Sequence, residues 1–269
     1  MSEDIIKVRG KTNGPISVVL VGTHGNEKCG VEALKNILPT LLIERGTVFF
    51  GYGNPRALEA GKRFIGVNLN RLFRDDKELS KTEKLSYEYK RAKFIRRYLN
   101  KADALLDIHA SSIPKTKPFA ISEPKAGEII EYLPVDIFVS GFDKVECGGT
   151  DYYMNQAGKI GICLECGYLG SPQSTQVAEK SIFGFLKARG HLTNDLIPRK
   201  KSRVEIYEKY FTKTDNFLLT KPFENFETVE KGQIIGTDGR GKIKSPRRSL
   251  ILFAHNCKEI GSEAFLLGT

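Results

Sequence analysis

Hydrophobic positions along the chain fall into short dense runs, separated by longer stretches at helical spacing. Residues 16–21 are apolar and largely β-branched with one serine among them, the pattern of a strand buried on both faces. Gly22 and Gly25 interrupt the run, and apolar residues return at helical spacing over 27–38, at Val31, Leu34 and Leu38. A second strand is predicted at 47–50, closed by a Gly/Asn/Pro turn at 51–55. Residues 84–99 predict a long amphipathic helix with Leu85, Ala92, Ile95 and Leu99 on one side, leading into a short buried strand at 104–108. Further strands are predicted at 120–121, 137–139 and 160–164, and a helix at 177–188. Strands alternating with helices predict an α/β fold with a mixed, mainly parallel sheet flanked by helices.

Past Gly190 the pattern changes. Residues 191–203 are polar and basic, contain Pro198, and are expected to connect two units. From 204 onward the signals are short strands between turns. Asp238-Gly239 is a hairpin dipeptide between apolar runs at 233–235 and 242–244, and 249–253 is another strand. The expected division is a catalytic α/β domain at 1–195 and a small all-β domain at 196–269 that caps the active site. No internal repeat is present.

Composition narrows the function classes. With 269 residues, 40% hydrophobic and 28% charged, the chain has the balance of a globular protein with a real core. Residues 1–12 are polar and lack the apolar segment of a secretory signal, and no apolar run approaches the roughly 20 residues that span a bilayer. A cytoplasmic protein without a membrane partner is therefore expected. The net charge of +10 comes from lysines spread along the chain with no nucleic-acid motif, so a solvated surface is expected and no nucleic-acid partner. The five cysteines are odd in number and scattered, which argues against a disulfide framework. Cys163 and Cys166 form a lone C-x-x-C inside a strand-like run and read as structural.

Two of the four histidines fall at predicted strand ends. His24 and Glu27 lie where the first buried strand hands over to a helix, and His109 directly follows the strand at 104–108. Ligands bind at the carboxyl ends of strands in open α/β sheets, so these three side chains can converge there. Two histidines and a glutamate, with a fourth position for water, are the donor set of a catalytic zinc. The competing reading of the H-x-x-E is a chance surface pair. Asp107, on the same side of its strand as His109, is a candidate to fix the imidazole tautomer, or else an ordinary strand-end aspartate. Asn70 and Arg71 have the planar donor geometry that matches a carboxylate, and Arg63 suits either a carboxylate or a developing oxyanion; the alternative for all three is solvated loop polarity. Glu165 is an acid inside an apolar strand, where it calls for a partner or a task as general base. His191 and His255 are expected to be surface or local structural residues.

Taken in order, these stretches resemble the succinylglutamate desuccinylase/aspartoacylase family of the zinc carboxypeptidase superfamily. The resemblance rests on residues 21–27, 53–56, Arg63, 68–71, 107–109 and 164–167, and on 261–265 in the β module. It implies a zinc-carboxypeptidase-like sheet and one zinc per chain, held by His24, Glu27 and His109. It further implies Glu165 as general base and acid, Arg63 polarising the scissile carbonyl, and Asn70 with Arg71 holding the substrate's α-carboxylate. The implied reaction is hydrolysis of an amide bond in a small N-acyl amino acid or related carboxylate. A carboxypeptidase acting on peptides uses the same machinery, and a catalytically inactive binding module is a further alternative. A homo-oligomer is compatible with the family.

This sequence departs from the family pattern in two ways. Aspartoacylase-like members use an additional arginine upstream of the catalytic glutamate and a tyrosine in the C-terminal domain. Here no arginine lies between Arg97 and Arg189, and no tyrosine follows Tyr210. Lys159, Tyr152, Tyr153, Arg247 and Arg248 are candidate substitutes, and weak or no activity on N-acetylaspartate is expected.

Overall fold

The computed structural model describes residues 5–269; Met1 to Asp4, the start of the polar N-terminal segment, lie outside it. Fourteen strands are described: β1 (Ile5–Arg9), β2 (Thr12–Val21), β3 (Arg45–Tyr52), β4 (Ala104–Ser111), β5 (Phe119–Ile121), β6 (Ile137–Ser140), β7 (Ile160–Tyr168), β8 (Ser202–Phe211), β9 (Phe217–Leu219), β10 (Glu227–Val229), β11 (Ile234–Asp238), β12 (Gly241–Lys244), β13 (Ser249–Leu252) and β14 (Glu263–Gly268). Eleven of them form one sheet in the order β1-β3-β2-β4-β7-β5-β6-β8-β14-β13-β10, and β12-β11-β9 form a small separate sheet. The centre of the large sheet is parallel, β3 with β2, β2 with β4 and β4 with β7; its C-terminal strands are antiparallel. The predicted α/β layer and the small C-terminal β sheet are therefore both present.

The helices are α1 (Cys29–Ile37), α2 (Pro55–Ala60), α3 (Lys81–Leu85), α4 (Tyr87–Leu99), α5 (Gly127–Ile130), α6 (Phe142–Val145), α7 (Thr150–Gln156) and α8 (Gln173–Ala188). Strand parity sorts the core into two layers. Val19, Val21, Leu106, Ile108, Ile162 and Leu164 pack with α1, α5 and α8 on one face. Val18, Leu20 and Leu105 pack with α4 and α7 on the other. Both faces of β2 and β4 are buried, which is why these strands read as continuous apolar runs.

Several boundaries differ from expectation for local reasons. The helix predicted from residue 84 begins at Tyr87, because Ser86 caps it through Tyr89 N–H. Leu85 belongs instead to α3, which has its own capping box on Ser80 and Glu83, and is 74% exposed. The buried side of α4 is Glu88, Arg91, Ala92, Ile95 and Leu99, so two charges continue its apolar stripe. Strand β4 extends past His109 to Ser111, since His109 still pairs with Glu165 of β7. In the hairpin of β11 and β12, Asp238 is the last paired residue, opposite Gly241, which shifts the turn one residue onward. Asp238 is held there by Tyr210 Oη and by the N–H groups of Lys213 and Thr214. No helix among the described residues is long and apolar enough to cross a membrane.

Candidate metal centre

Period-2 alternation explains how polar chemistry enters a buried sheet. Along β4, Leu105 faces the α4/α7 layer, and the next two residues of the same parity are Asp107 and His109. Their register partners on β7 are Cys163 and Glu165. One face thus changes from apolar to polar toward the carboxyl ends of the strands, while the opposite face stays apolar.

The loop after β2 brings the remaining residues to this edge. Gly22 adopts φ +63°, a left-handed conformation that favours glycine. At Gly25 an added Cβ would sit 2.1 Å from the carbonyl carbon of Ala57, so only glycine permits this approach. His24 Nδ1 lies 2.8 Å from Glu27 Oε1, and His109 Nδ1 lies 3.0 Å from Glu27 Oε2. Candidate donor atoms of the three side chains all fall within 4.8 Å of one another, and all three residues are buried. His24 Nε2 is braced 3.0 Å from Asn68 Oδ1, whereas His109 Nε2 lies 3.2 Å from Asp107 Oδ2 as a charge contact without the alignment of a hydrogen bond. Each Nδ1–H donates to the Glu27 carboxylate, and a cation bound among the three would take the Nδ1 lone pairs in place of those protons. Asp107 is in turn fixed by the hydroxyls of Thr23, at 2.9 Å, and Thr150, at 2.6 Å. Burial works to raise the Glu27 carboxyl, but His24 and His109 hold it well below the usual range, as an anion. The donor set fits a zinc ion: two imidazoles and a carboxylate, buried and convergent.

Glu165 stands beside this cluster on β7. Its Oε2 is buried with no hydrogen-bond partner among the described residues. Burial, then the negative charge of Glu27, pushes its carboxyl up to about 7. Arg63 reaches the cluster from a loop held by Glu88 of α4, which is buried and accepts from the N–H groups of Ile65, at 2.7 Å, and Gly66, at 3.2 Å. Arg63 Nη1 donates to Glu27 Oε1 at 2.8 Å, and the side chain is 48% exposed. Asn54, within the 53–56 stretch, is scaffolding: its side chain caps α2 at Ala57 N–H.

Asn70 and Arg71 form a short helical turn (Leu69–Arg71) at the edge of the same site. Asn70 Oδ1 accepts from Thr150 N–H at 3.1 Å. Arg71 is not open: it pairs with Glu146, Glu263 and the carbonyl of Asn70. Of the candidate substitutes for the family's extra arginine, Lys159 Nζ is bonded to the carbonyls of Leu99 and Asn100, and Tyr153 Oη to Asn100. Arg247 lies over the Tyr207 ring, and Arg248 pairs with Glu230. The cation found beside Arg71 is Lys209 of β8, which composition could not separate from 41 other lysines and arginines. Cys163 faces His109, with its thiol pushed up to about 12 by burial, and Cys166 and Cys29 lie on the other face. All three are free thiols, in keeping with a structural role. His191 is fully buried and bonded to Arg45 O and Ser17 Oγ, so it is structural and not at the surface.

A two-histidine, one-glutamate cluster thus lies at the carboxyl edge of the parallel centre of a mixed sheet, the place where open α/β folds put their ligand sites. The family profile described as "Succinylglutamate desuccinylase/Aspartoacylase catalytic domain" matches residues 13–188, well over half of the chain. The chain belongs to this family, whose members' names denote hydrolases of amide bonds. It is 35% identical over 105 residues to a probable aspartoacylase of Trichodesmium erythraeum, a match covering 35% of this chain and 34% of that protein. A succinylglutamate desuccinylase of Shewanella sp. is 26% identical over 273 residues, covering 87% of this chain and 76% of the relative. The first of these alignments thus spans about a third of the relative's length. The crystal structure of succinylglutamate desuccinylase from Vibrio cholerae superposes with a TM-score of 0.83 at 20% identity, covering 99% of this chain and 85% of that one, which speaks for the fold.

Proposed function

We propose that the protein is a zinc-dependent hydrolase that cleaves the amide bond of a small N-acyl amino acid. The observation that carries this reading is the buried convergence of His24, Glu27 and His109 beside the buried, unpartnered Oε2 of Glu165. A zinc ion held by the first three side chains would supply Lewis acidity toward water and the amide carbonyl. Glu165, poised near neutrality by burial, takes the proton from the attacking water and returns it to the leaving amine. Arg63 turns from Glu27 toward the carbonyl oxygen and steadies the charge that develops there. Asn70 and Arg71 bind the substrate's carboxylate, which fixes the distance from that group to the scissile bond.

Residues 1–195 form the catalytic domain in this reading, and 196–269 the β domain that caps it. The bond from Arg71 to Glu263, 192 residues apart in sequence, supports a cap that reaches the site edge. Such a cap admits small acyl amino acids in preference to peptide chains. The test is a panel of N-acyl amino acids against dipeptides, with metal analysis of the purified protein. Zinc near one equivalent and turnover of acyl amino acids is the expected result. Turnover of peptides alone would overturn the deacylase assignment in favour of a carboxypeptidase.

A further inference from the structure

The guanidinium of Arg71 is already matched within the protein. Nη1 donates to the Asn70 carbonyl at 2.9 Å, and Nη2 donates to Glu146 Oε1 and, at 3.1 Å, to Glu263 Oε2. Lys209 Nζ completes the group, 3.1 Å from Glu263 Oε1 and 3.9 Å from Glu146 Oε2. Two cations and two carboxylates balance in a partly dehydrated setting, where the Lys209 side chain is only 6% exposed and that of Glu146 15%. A third carboxylate arriving on Arg71 would place three anions against two cations, an unfavourable count where water screens poorly. Exchanging one carboxylate for another keeps the balance.

The two glutamates are not equally free to leave. Glu263 lies in β14, is paired with Phe211 of β8, and is bonded at 3.1 Å by both Arg71 and Lys209. Glu146 follows the single-turn helix α6, outside any strand, and its one close cationic partner is Arg71. We propose that Glu146 is an internal stand-in for the substrate's carboxylate, holding Arg71 until an N-acyl amino acid displaces it and thereby setting the site's affinity and charge selectivity. The identity of the displacing ligand rests on the deacylase reading; the exchange on Arg71 is a separate claim.

The test compares the wild type with Glu146→Gln and Glu146→Ala. Calorimetry on metal-stripped protein measures binding of N-acetylalanine and of its uncharged amide, N-acetylalaninamide. Both variants are expected to bind the acid roughly tenfold tighter, as when Glu146 holds Arg71 about nine-tenths of the time, with no gain for the amide. In the zinc-loaded enzyme the same gain appears in KM and not in kcat. Unchanged or weaker binding of the acid by both variants would mean that Glu146 merely props Arg71 in place, and would overturn the proposal. So would an equal gain for the amide, or no binding to any of the three proteins. If binding tightens as expected but no acyl amino acid is hydrolysed, the deacylase assignment fails and the exchange on Arg71 stands.

Discussion

Asp151, in the first turn of α7, offers a direct test of the electrostatics at the site edge. Its residue is buried, and a Cβ built on Gly149 would lie 2.3 Å from its Oδ1 and 3.6 Å from the Asn70 amide, so the carboxyl sits against the Asn70 turn. Burial pushes it up to about 6 from an ordinary 3.8; the charges of Asp143 and Asp107 add to this, and the Tyr152 N–H and His109 oppose it. Below pH about 3 the carboxyl is protonated whether the chain is folded or unfolded, and it contributes nothing. As pH rises through 4 to 6 the unfolded chain releases the proton first, so stability falls, and the full penalty is present above about 7. At 1.36 kcal/mol per pH unit the gap from 3.8 to about 6 sets an upper bound of about 3 kcal/mol. Asp151→Asn keeps the shape and removes the charge. Urea unfolding of the metal-stripped variant should show a gain of about 1–3 kcal/mol at pH 8 that shrinks to about 0.5 kcal/mol or less at pH 4. A gain of equal size at both pH values, or a loss at pH 8, would refute the argument that this buried charge is uncompensated.

Three further outcomes follow from the site. Glu165→Gln should retain zinc by metal analysis while turnover falls by a factor on the order of 10³ or more; near-normal turnover would remove Glu165 as the base. His109→Ala should instead emerge from purification without stoichiometric metal, and full occupancy would show that the cluster is not the binding site. Gly25→Ala, whose Cβ would meet the backbone of Ala57, should destabilise the protein by about 2 kcal/mol or more in thermal or urea unfolding.

Much of this site was legible because each cluster residue sits at a change of pattern. His24 and Glu27 lie where the apolar run of β2 gives way to α1, and Glu165 interrupts the run of β7, so their polarity stands out against burial. The α/β alternation was readable for the same reason, since strands buried on both faces lose their period and become dense runs. The surroundings of Arg71 were not readable. Glu146, Lys209 and Glu263 look like ordinary surface charges, and only the pairing of β8 with β14, with α6 packed on β8, brings them to one place. Glu88 was equally hidden, because a charge on a helix stripe announces burial only when the loop it anchors is known. Leu85 misled in the opposite sense: its spacing fitted the helix, yet the serine after it started a new one.

Strand β8 carries a mechanical consequence. One of its edges runs parallel to β6 and the other antiparallel to β14, so the polypeptide after residue 201 is stitched into the sheet and does not hang from a tether. Swinging the C-terminal strands aside as a body would tear a hydrogen-bonded ladder, so entry to the site falls to individual side chains and loops. Cutting the chain before β8 would also leave β6 as a raw edge, able to recruit strands from other molecules. An isolated N-terminal half should therefore be prone to self-association.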